Sequence, residues 1–319
     1  MINGNSNIVE FGKESVYGTA IAPTVRVAVS GANFKPVYNK KDEGLLTGGI
    51  GKGLTETMSI KTEGSLSTLA KPESVGYFLA GLFGVESVSE KDAQTNLYTH
   101  SFTPIGNAET DKLPSYTFTL DRKAGVYNYN GSKIDSISFS AAAEDRLSLD
   151  ITTVGKDEAT GIAISTALTA EANRAFKFHQ AKVYVDDTEF ADVDSIKFEY
   201  KNNLDSSIQT TSTGKYYAEP TQGTREATSE LECIFSTASE VYRNGKFKED
   251  STIKEVIEFT DDNANVLRFT LPVAQITAMD IPDISDGTAK QSLTITAVDN
   301  STCFAKAELL NTVSTSYLA

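Results

Sequence analysis

Two histidines, His100 and His179, are all that the chain offers for imidazole chemistry. A Ser-His-Asp or Cys-His centre would have to use one of them, and no nucleophile elbow accompanies either. Both sit in strand-like stretches and read as structural or surface residues. The run Gly48-Gly49-Ile50-Gly51-Lys52-Gly53 resembles a phosphate loop, but it lacks the G-x-x-x-x-G-K-[ST] spacing and leads into a polar strand rather than a helix. Asp261-Asp262-Asn263-Ala264-Asn265 opens like a calcium loop, yet Val266 stands where the sharp turn needs glycine and Pro272 where the bidentate glutamate belongs, so a hairpin turn is expected. Cys233 and Cys303 have no metal-like spacing and read as buried thiols. Asn130-Gly131-Ser132 and Asn300-Ser301-Thr302 are glycosylation triplets only in a secreted chain. Glu226, Glu230 and Glu232 could gather a cation, but at alternate positions they read first as a solvated strand face. The expectation is a protein with no active site, no metal and no cofactor.

Composition narrows the class further. With 43 acidic against 29 basic residues the 319-residue chain carries a formal charge of -14, the wrong sign for gripping nucleic acid through its phosphates. The start, Met1-Ile2-Asn3-Gly4-Asn5, has neither a basic nor an apolar signal region, and no apolar run reaches membrane-spanning length. A soluble product of a reducing cytoplasm, without a membrane partner, is expected.

The elements that would carry any surface are strands, and the pattern is written twice. Ser148-Leu149-Asp150-Ile151-Thr152-Thr153-Val154 returns as Ser292-Leu293-Thr294-Ile295-Thr296-Ala297-Val298. Phe118-Thr119-Leu120 returns as Phe269-Thr270-Leu271, Gly64-Ser65-Leu66 as Ser229-Glu230-Leu231, and Phe34 with its polar sequel as Phe198 with its own. Ordered echoes at long period argue for a duplicated unit. The predicted organisation is an N-terminal arm (1–24), a first module (25–158), a linker (159–174) and a second module (175–319). The fold class is mainly β, with two tandem sandwich- or barrel-type modules, each with one short helix packed on its sheet.

In the first module strands are expected around Val25–Val29, Phe34–Tyr38 and Glu56–Thr68. A helix should start at Pro72, bury Val75, Phe78, Leu79 and Leu82, and stop at Gly84. Further strands are expected at 97–103, 115–121, 126–129, 134–140 and 147–154, with Asn130-Gly131 as a hairpin turn. The second module predicts strands through Val183 and Val185, Ile196–Tyr200 and Ala227–Phe235. Thr237-Ala238-Ser239-Glu240 is read as a capping box opening a helix that Asn244-Gly245 ends. Strands at 252–260, 266–271, 275–279 and 290–298 follow. Two long polar segments, 39–54 and 202–223, interrupt the pattern and are functional candidates because structureless loops of that length are uncommon.

The opening Phe11-Gly12-Lys13-Glu14-Ser15-Val16-Tyr17-Gly18-Thr19-Ala20-Ile21-Ala22-Pro23-Thr24 resembles the start of the tail tube (major tail) proteins of long-tailed bacteriophages. So does Gly64-Ser65-Leu66 leading into Pro72-Glu73-Ser74-Val75-Gly76-Tyr77-Phe78-Leu79, and the stretch from Phe176 to Asn311 is similar to that family's C-terminal half. The resemblance implies stacked rings whose inner sheets join into one barrel around a channel. About four strands from each of six modules give about 24 strands and a backbone diameter of roughly 45 to 50 Å, wide enough for duplex DNA. Two modules per chain then imply a trimeric ring with pseudo-six-fold symmetry; a hexamer with one module of each chain lining the channel is the competing count. It also implies partners: tail terminator and tail tip proteins, a tape measure protein inside the tube, and DNA that passes without specific binding. The place of action would be the virion tail, after synthesis in the host bacterial cytoplasm.

Two surfaces are singled out on that basis. Glu63, Glu226, Glu230 and Glu232, on the wet faces of the strands before the helices, are expected to face the channel, where carboxylates would repel phosphates; an acidic outer surface is the alternative. Lys41, Asp42, Gly48 and Lys52 in the first polar segment, with Asn203, Asp205, Lys215 and Tyr216 in the second, are expected to form ring-stacking loops. A β-sandwich binding or adhesion protein that builds no tube is the other functional class, disfavoured by the lack of any Trp and of a signal. A hydrolase on a β-scaffold is disfavoured by the missing constellation.

Overall fold

A computed structural model describes residues 8–44, 53–92, 96–190, 192–281, 288–299 and 303–319. Strands dominate it: β1 (Ile8–Lys13), β2 (Val25–Val27), β3 (Gly31–Asp42), β4 (Thr55–Leu69), β5 (Gly84–Asp92), β6 (Leu97–Pro104), β7 (Tyr116–Asp121), β8 (Val126–Ala142), β9 (Ser148–Gly155) and β10 (Asp157–Ala159). The second half continues with β11 (Ala181–Val185), β12 (Thr188–Glu189), β13 (Val193–Lys201), β14 (Glu226–Ile234), β15 (Thr252–Thr260), β16 (Val266–Met279), β17 (Lys290–Ala297) and β18 (Lys306–Asn311). The helices are α1 (Val75–Phe83) and α2 (Thr237–Tyr242). The fold is mainly β.

One antiparallel sheet runs the length of the molecule in the order β3-β4-β9-β8-β13-β14-β17-β16. Its first four strands come from the first half of the chain and its last four from the second. They join where β8 pairs β13, from Ser195 opposite Ala142 to Lys201 opposite Ser136. Alternation follows from the pleat: in β9 Leu149, Ile151 and Thr153 are buried while Asp150 and Thr152 are exposed, and in β14 Ala227, Ser229, Leu231 and Cys233 alternate with Glu226, Thr228, Glu230 and Glu232.

Two further layers cover the buried side. Over the first half lies β2-β1-β7-β8-β10, using β8 as far as Ser132. Over the second lie β12, β11 and β15 on one side of β16, and β18, β6 and β5 on the other. Both β8 and β16 therefore serve two layers. Asn130-Gly131, expected as a hairpin turn, lies inside β8: Gly131 takes φ +68 beside a register slip between the Tyr116–Ser132 and Phe118–Tyr129 pairs, so the glycine turns the strand from one layer into the next. In β16 the equivalent place holds Pro272, again between two stretches that the sequence reads as separate strands. The Phe118 and Phe269 triplets lie in β7 and β16, which hold different places in the strand order, so that echo is not positional.

Several local expectations are refined. Ile8–Lys13, assigned to an arm, is β1 between β2 and β7, with Val9 and Phe11 each 2% exposed; apolar alternation outweighs the glycine and serine around it. α1 begins at Val75 after a turn containing Pro72 and ends on Gly84, whose left-handed φ of 81 returns its N–H to Ala80 O. The capping box of α2 is set one residue earlier than expected, Ser236 with Ser239 rather than Thr237 with Glu240, and the turns run through Asn244-Gly245 as a π-helical stretch to Phe247. Segment 39–54 is partly strand, because β3 extends to Asp42 and β4 begins at Thr55. The Asp261 turn holds: its Oδ1 accepts the N–H of Asn263 (2.8 Å) and Asn265 (2.9 Å) between β15 and β16.

The predicted linker is bonded along its course. Ala159, its first residue, ends β10 and pairs with Asn128 of β8, Ser165 N donates to Glu10 Oε2 (2.8 Å), and Glu171 accepts the backbone N–H of Glu73 (3.0 Å) and Ser74 (2.8 Å) just before α1. The halves also interlock. The β5–β6 hairpin, in the first half by sequence, pairs with β18 of the second from Tyr98–Asn311 to Phe102–Ala307.

Candidate channel face and assembly surfaces

Directly opposed residues in a sheet share a face, so the pairing register lays out the open side of the long sheet as rows. One row reads Asn33, Ser65, Thr152, Ser136, Lys201, Glu226; the next reads Ser67, Asp150, Ser138, Glu199, Thr228, Thr296. Hydroxyls fill the centre of the face. Ser136 and Thr152 share a hydrogen bond (2.7 Å), as do Ser140 and Ser148 (2.7 Å) and Thr277 and Thr296 (3.0 Å). Within these three pairs both side chains are short, while the lysines and glutamates of β13 and β14 stand beside them.

All four glutamates expected on a wet face lie on this side of the sheet, in β4 and β14. They do not stand alone. Glu63 meets Lys61 (3.1 Å) and Lys35 (4.0 Å), Glu230 meets Lys197 (3.2 Å), and Glu232 meets Lys290 (3.7 Å). Glu226 lies opposite Lys201, whose ammonium bonds Glu199 (3.0 Å); that hydrogen bond, helped by the nearby charge of Glu199, Glu226 and Asp135, raises its pKa. The face is a carpet of hydroxyls and matched charges rather than a wall of bare carboxylates. Its lysines are engaged by neighbouring carboxylates, which lowers their attraction for a phosphate backbone.

Both ends of the long sheet are open among the described residues. β3 pairs only with β4; at the other end β15 flanks β16 as far as Gln275, and only Ile276–Met279 have β17 as their sole neighbour. Pro36 in β3 suits an edge, since it has no N–H to leave unpaired. Beyond Thr62, where β9 stops pairing, β3 and β4 continue as a two-stranded projection that carries Lys41 and Asp42 at its far end and exposes Tyr38, Leu54 and Met58. Gly48 and Lys52 lie outside the described residues.

The second polar segment behaves differently. At its root Asn202 is buried and donates from Nδ2 to Leu82 O (2.9 Å), and Asn203 Nδ2 donates to Thr224 O (2.7 Å). Asp205 exchanges backbone hydrogen bonds with Thr221, and its carboxylate accepts Ser207 N–H and Oγ–H, which together hold its pKa below the usual range. Farther out the segment lies on β4 of the first half: Ile60 N donates to Lys215 O (2.8 Å), Tyr216 bridges Ile60, and Tyr217 OH meets Ser59 Oγ (2.9 Å). Lys215 and Tyr216 thus brace the projecting hairpin of their own chain.

Sequence reasoning missed the polar supports beneath these surfaces. Glu14 is buried and its carboxylate accepts Ser115 Oγ (2.8 Å), Thr117 Oγ1 (2.8 Å), Gly131 N (2.8 Å) and Gly18 N (2.8 Å), fixing the corner of β8. Lys133, 2% exposed, pairs with Glu219 at 2.8 Å. Burial lowers the Lys133 pKa against the pull of that carboxylate, while Glu219 is held below the usual range because hydrogen bonds from Lys112 and Lys133 outweigh its own desolvation. Reading 1–24 as an arm hid Glu14, and no spacing in the sequence links Lys133 to Glu219.

No catalytic set emerges from the candidates. His179 lies in a 3-10 turn (Phe178–Gln180), and His100 is buried against Glu86, whose other oxygen takes Ser316 Oγ, so the serine bonds the carboxylate and not the imidazole. Among the described residues no three metal-binding side chains cluster, and no helix is long and apolar enough to cross a membrane.

A sheet spanning both halves of the chain, with one-sided strand segments at both ends and hydroxyls and ion pairs on one face, defines a β-protein built around a broad open surface. The sequence model of the family described as phage tail tube protein matches residues 4–297, and the chain belongs to that family. It is a structural protein of the virion tail that assembles with copies of itself and with other tail proteins into a tube. No curated protein matches the sequence.

Proposed function

We propose that three copies of this chain close a ring by joining β3 of one to β16 of the next, so that the eight-stranded sheets become one barrel of about 24 strands around the DNA channel. The observation that carries this reading is the β8–β13 pairing, which already makes inside one chain the module-to-module junction that the ring needs between chains. Two tandem modules from a duplication, divided near residues 159–174, fit the equal strand orders β3-β4-β9-β8 and β13-β14-β17-β16. The hydroxyl and ion-pair face, with Glu63, Glu226, Glu230 and Glu232, lines the channel; DNA slides on it because its lysines are engaged. The β3–β4 projection, braced by Lys215 and Tyr216, reaches the next ring. Tail terminator, tail tip and tape measure proteins are its partners, and synthesis and assembly take place in the host bacterial cytoplasm.

Electron microscopy of the purified protein tests the count. Rings or tubes whose averaged cross-section has three-fold symmetry, with six similar lobes, are expected; a six-fold ring of whole chains overturns the trimer. Deleting residues 41–53 should leave a folded protein that forms no tubes, and normal tubes from that variant would refute the role of the projection.

A further inference from the structure

Inside the chain the two halves meet in a fixed register, with Ser138 opposite Glu199, Phe139 opposite Phe198 and Ser140 opposite Lys197. Those positions have counterparts at the open ends of the long sheet, because both halves follow one strand order and Ser148–Thr153 of β9 echoes Ser292–Ala297 of β17. Counting across from Thr152 and Thr296, Asn33 holds in β3 the place of Glu199 in β13. Ala32 and Gly31 likewise hold the places of Phe198 and Lys197. On the other edge Ala278 corresponds to Ser138 and Met279 to Phe139, while Asp280, whose N–H reaches Ser292 O at 3.2 Å, corresponds to Ser140. We propose that β3 of a second copy joins β16 in this same register, with Asn33 opposite Ala278, Ala32 opposite Met279 and Gly31 opposite Asp280. The register rests on ring closure through β3 and β16 and specifies its contact residue by residue.

The free lengths of the two edges select the same alignment independently of the echo. On β16 the edge is taken by β15 as far as Gln275, which faces Thr252, so it becomes free only at Ile276. On β3 the capacity to pair ends at Pro36, which has no N–H to donate to a new neighbour. The proposed register puts Phe34 opposite Ile276 and Lys35 level with Gln275. The two strands therefore part where β15 takes over, and Pro36 falls just beyond the joint. A slide of two residues in one direction sets Pro36 against the free edge at Ile276. The opposite slide drives Phe34 onto Ala274, which Ile253 of β15 already occupies. A slip of one residue turns the inward Phe34 toward the wet face.

An exposed apolar residue marks the end of the joint. Ile281 is 60% exposed, whereas its counterpart Ala141 is only 5% exposed, covered at the internal junction by Ile196. In the ring the start of the neighbour's β3, around Ser30, covers Ile281 in the same way. The unpaired backbone groups of both edges find partners at the same time.

Paired cysteines test the register in assembled protein, in a Cys303→Ser background that leaves only the buried Cys233. Asn33→Cys with Ala278→Cys should give a disulfide between copies, because directly opposed residues hold their Cα atoms about 4.5–5.5 Å apart, within disulfide reach. In one chain the two sites lie at opposite ends of the long sheet, on the order of 30 Å apart, so no bond forms within a chain. On a non-reducing gel, reducible species of two or more chains should form at least tenfold faster than from Lys35→Cys with Ala278→Cys, the pair displaced by two residues. Faster linking of the displaced pair would overturn the register and leave the β3–β16 joint standing. Links from neither pair, in rings visible by electron microscopy, would overturn the joint itself. Should these variants fail to assemble, Gly31→Cys with Asp280→Cys, set against Asn33→Cys with Asp280→Cys, decides by the same comparison.

Discussion

The two halves build the same strand order around different interiors. In the first, rings fill the space between layers: Phe11 touches Phe78, Tyr116 and Phe118 at 5.4 to 5.8 Å, and Phe34 touches Phe118 (4.9 Å) and Tyr129 (5.3 Å). The nine-residue α1 is buried along nearly its whole length. In the second, the interior away from the junction is largely aliphatic, α2 has six residues and exposes Val241, and a carboxyl group, Glu255, stands 1% exposed between the layers. The strand order of such a unit thus tolerates an exchange of its filling so long as alternation keeps one face apolar. Where the halves meet, aromatic packing returns: Phe269 lies 4.5 Å from both Phe139 and Phe198 across the β8–β13 seam.

That seam provides the strongest test of the comparison. Phe269→Ala and Phe118→Ala each empty a fully buried ring site, one at the junction and one in the first half, and each should cost about 3–5 kcal/mol. Because β8–β13 and β6–β18 both cross between halves, both variants should shift one and the same urea transition. Two resolved transitions in Phe118→Ala, the second unmoved, would show that the halves melt apart and that the interlock is weak.

Glu255 separates the halves by pH. Burial pushes its pKa up to about 8, only partly opposed by the Ser229 hydroxyl. The folded state therefore holds a proton that the unfolded chain releases near its ordinary value of 4.5. Folding is favoured most below that value, and stability is lost as pH rises toward 8, since the unfolded state then binds fewer protons than the native one. Glu255→Gln keeps the shape without the charge, so its stability should overtake that of the wild type across this window, by on the order of 4 kcal/mol at pH 9. Chemical denaturation at pH 5, 7 and 9 measures it, and parallel curves would mean that the carboxyl finds water or a partner in solution.

Gly131 tests the corner device. An alanine there would hold φ +68 and meet Tyr17 and Lys156 at 2.9 to 3.0 Å, so a loss of roughly 1–2 kcal/mol is expected. A smaller loss is expected at exposed Gly44, where an alanine would hold a similar φ of 64 but has open space around it. The same corner shows where the sequence stopped being legible. Period-two alternation located most strands, the helix stripe of α1 and its Gly84 stop, and the face on which Glu63, Glu226, Glu230 and Glu232 lie, because each of these is decided within a few residues. Asn130-Gly131 and Pro272 were read as strand ends, since local chemistry cannot distinguish a turn from a bend that carries a strand into a second layer. The pairing of β6 with β18 and the bracing of β4 by Lys215 and Tyr216 depend on contacts far apart in sequence, which no local pattern encodes.

The smallest expected effect on stability belongs to the open face, where the ion pairs are exposed and each is worth about 0.2–1 kcal/mol. Replacing Glu226, Glu230 and Glu232 together with lysine should leave the unfolding midpoint nearly unchanged. It should do something else: Lys197 loses its partner, Lys290 is left with Asp194 alone, and the β14 stripe of the face turns cationic. The isolated subunit should then bind duplex DNA with an affinity that falls steeply with salt, where the wild type does not bind. If the face lines the channel, tails carrying this variant should assemble yet release DNA more slowly, and added salt should restore the rate. If it lies outside, the subunit binds DNA equally well while ejection is untouched. The pair of measurements therefore separates the charge of the face from its place in the tube.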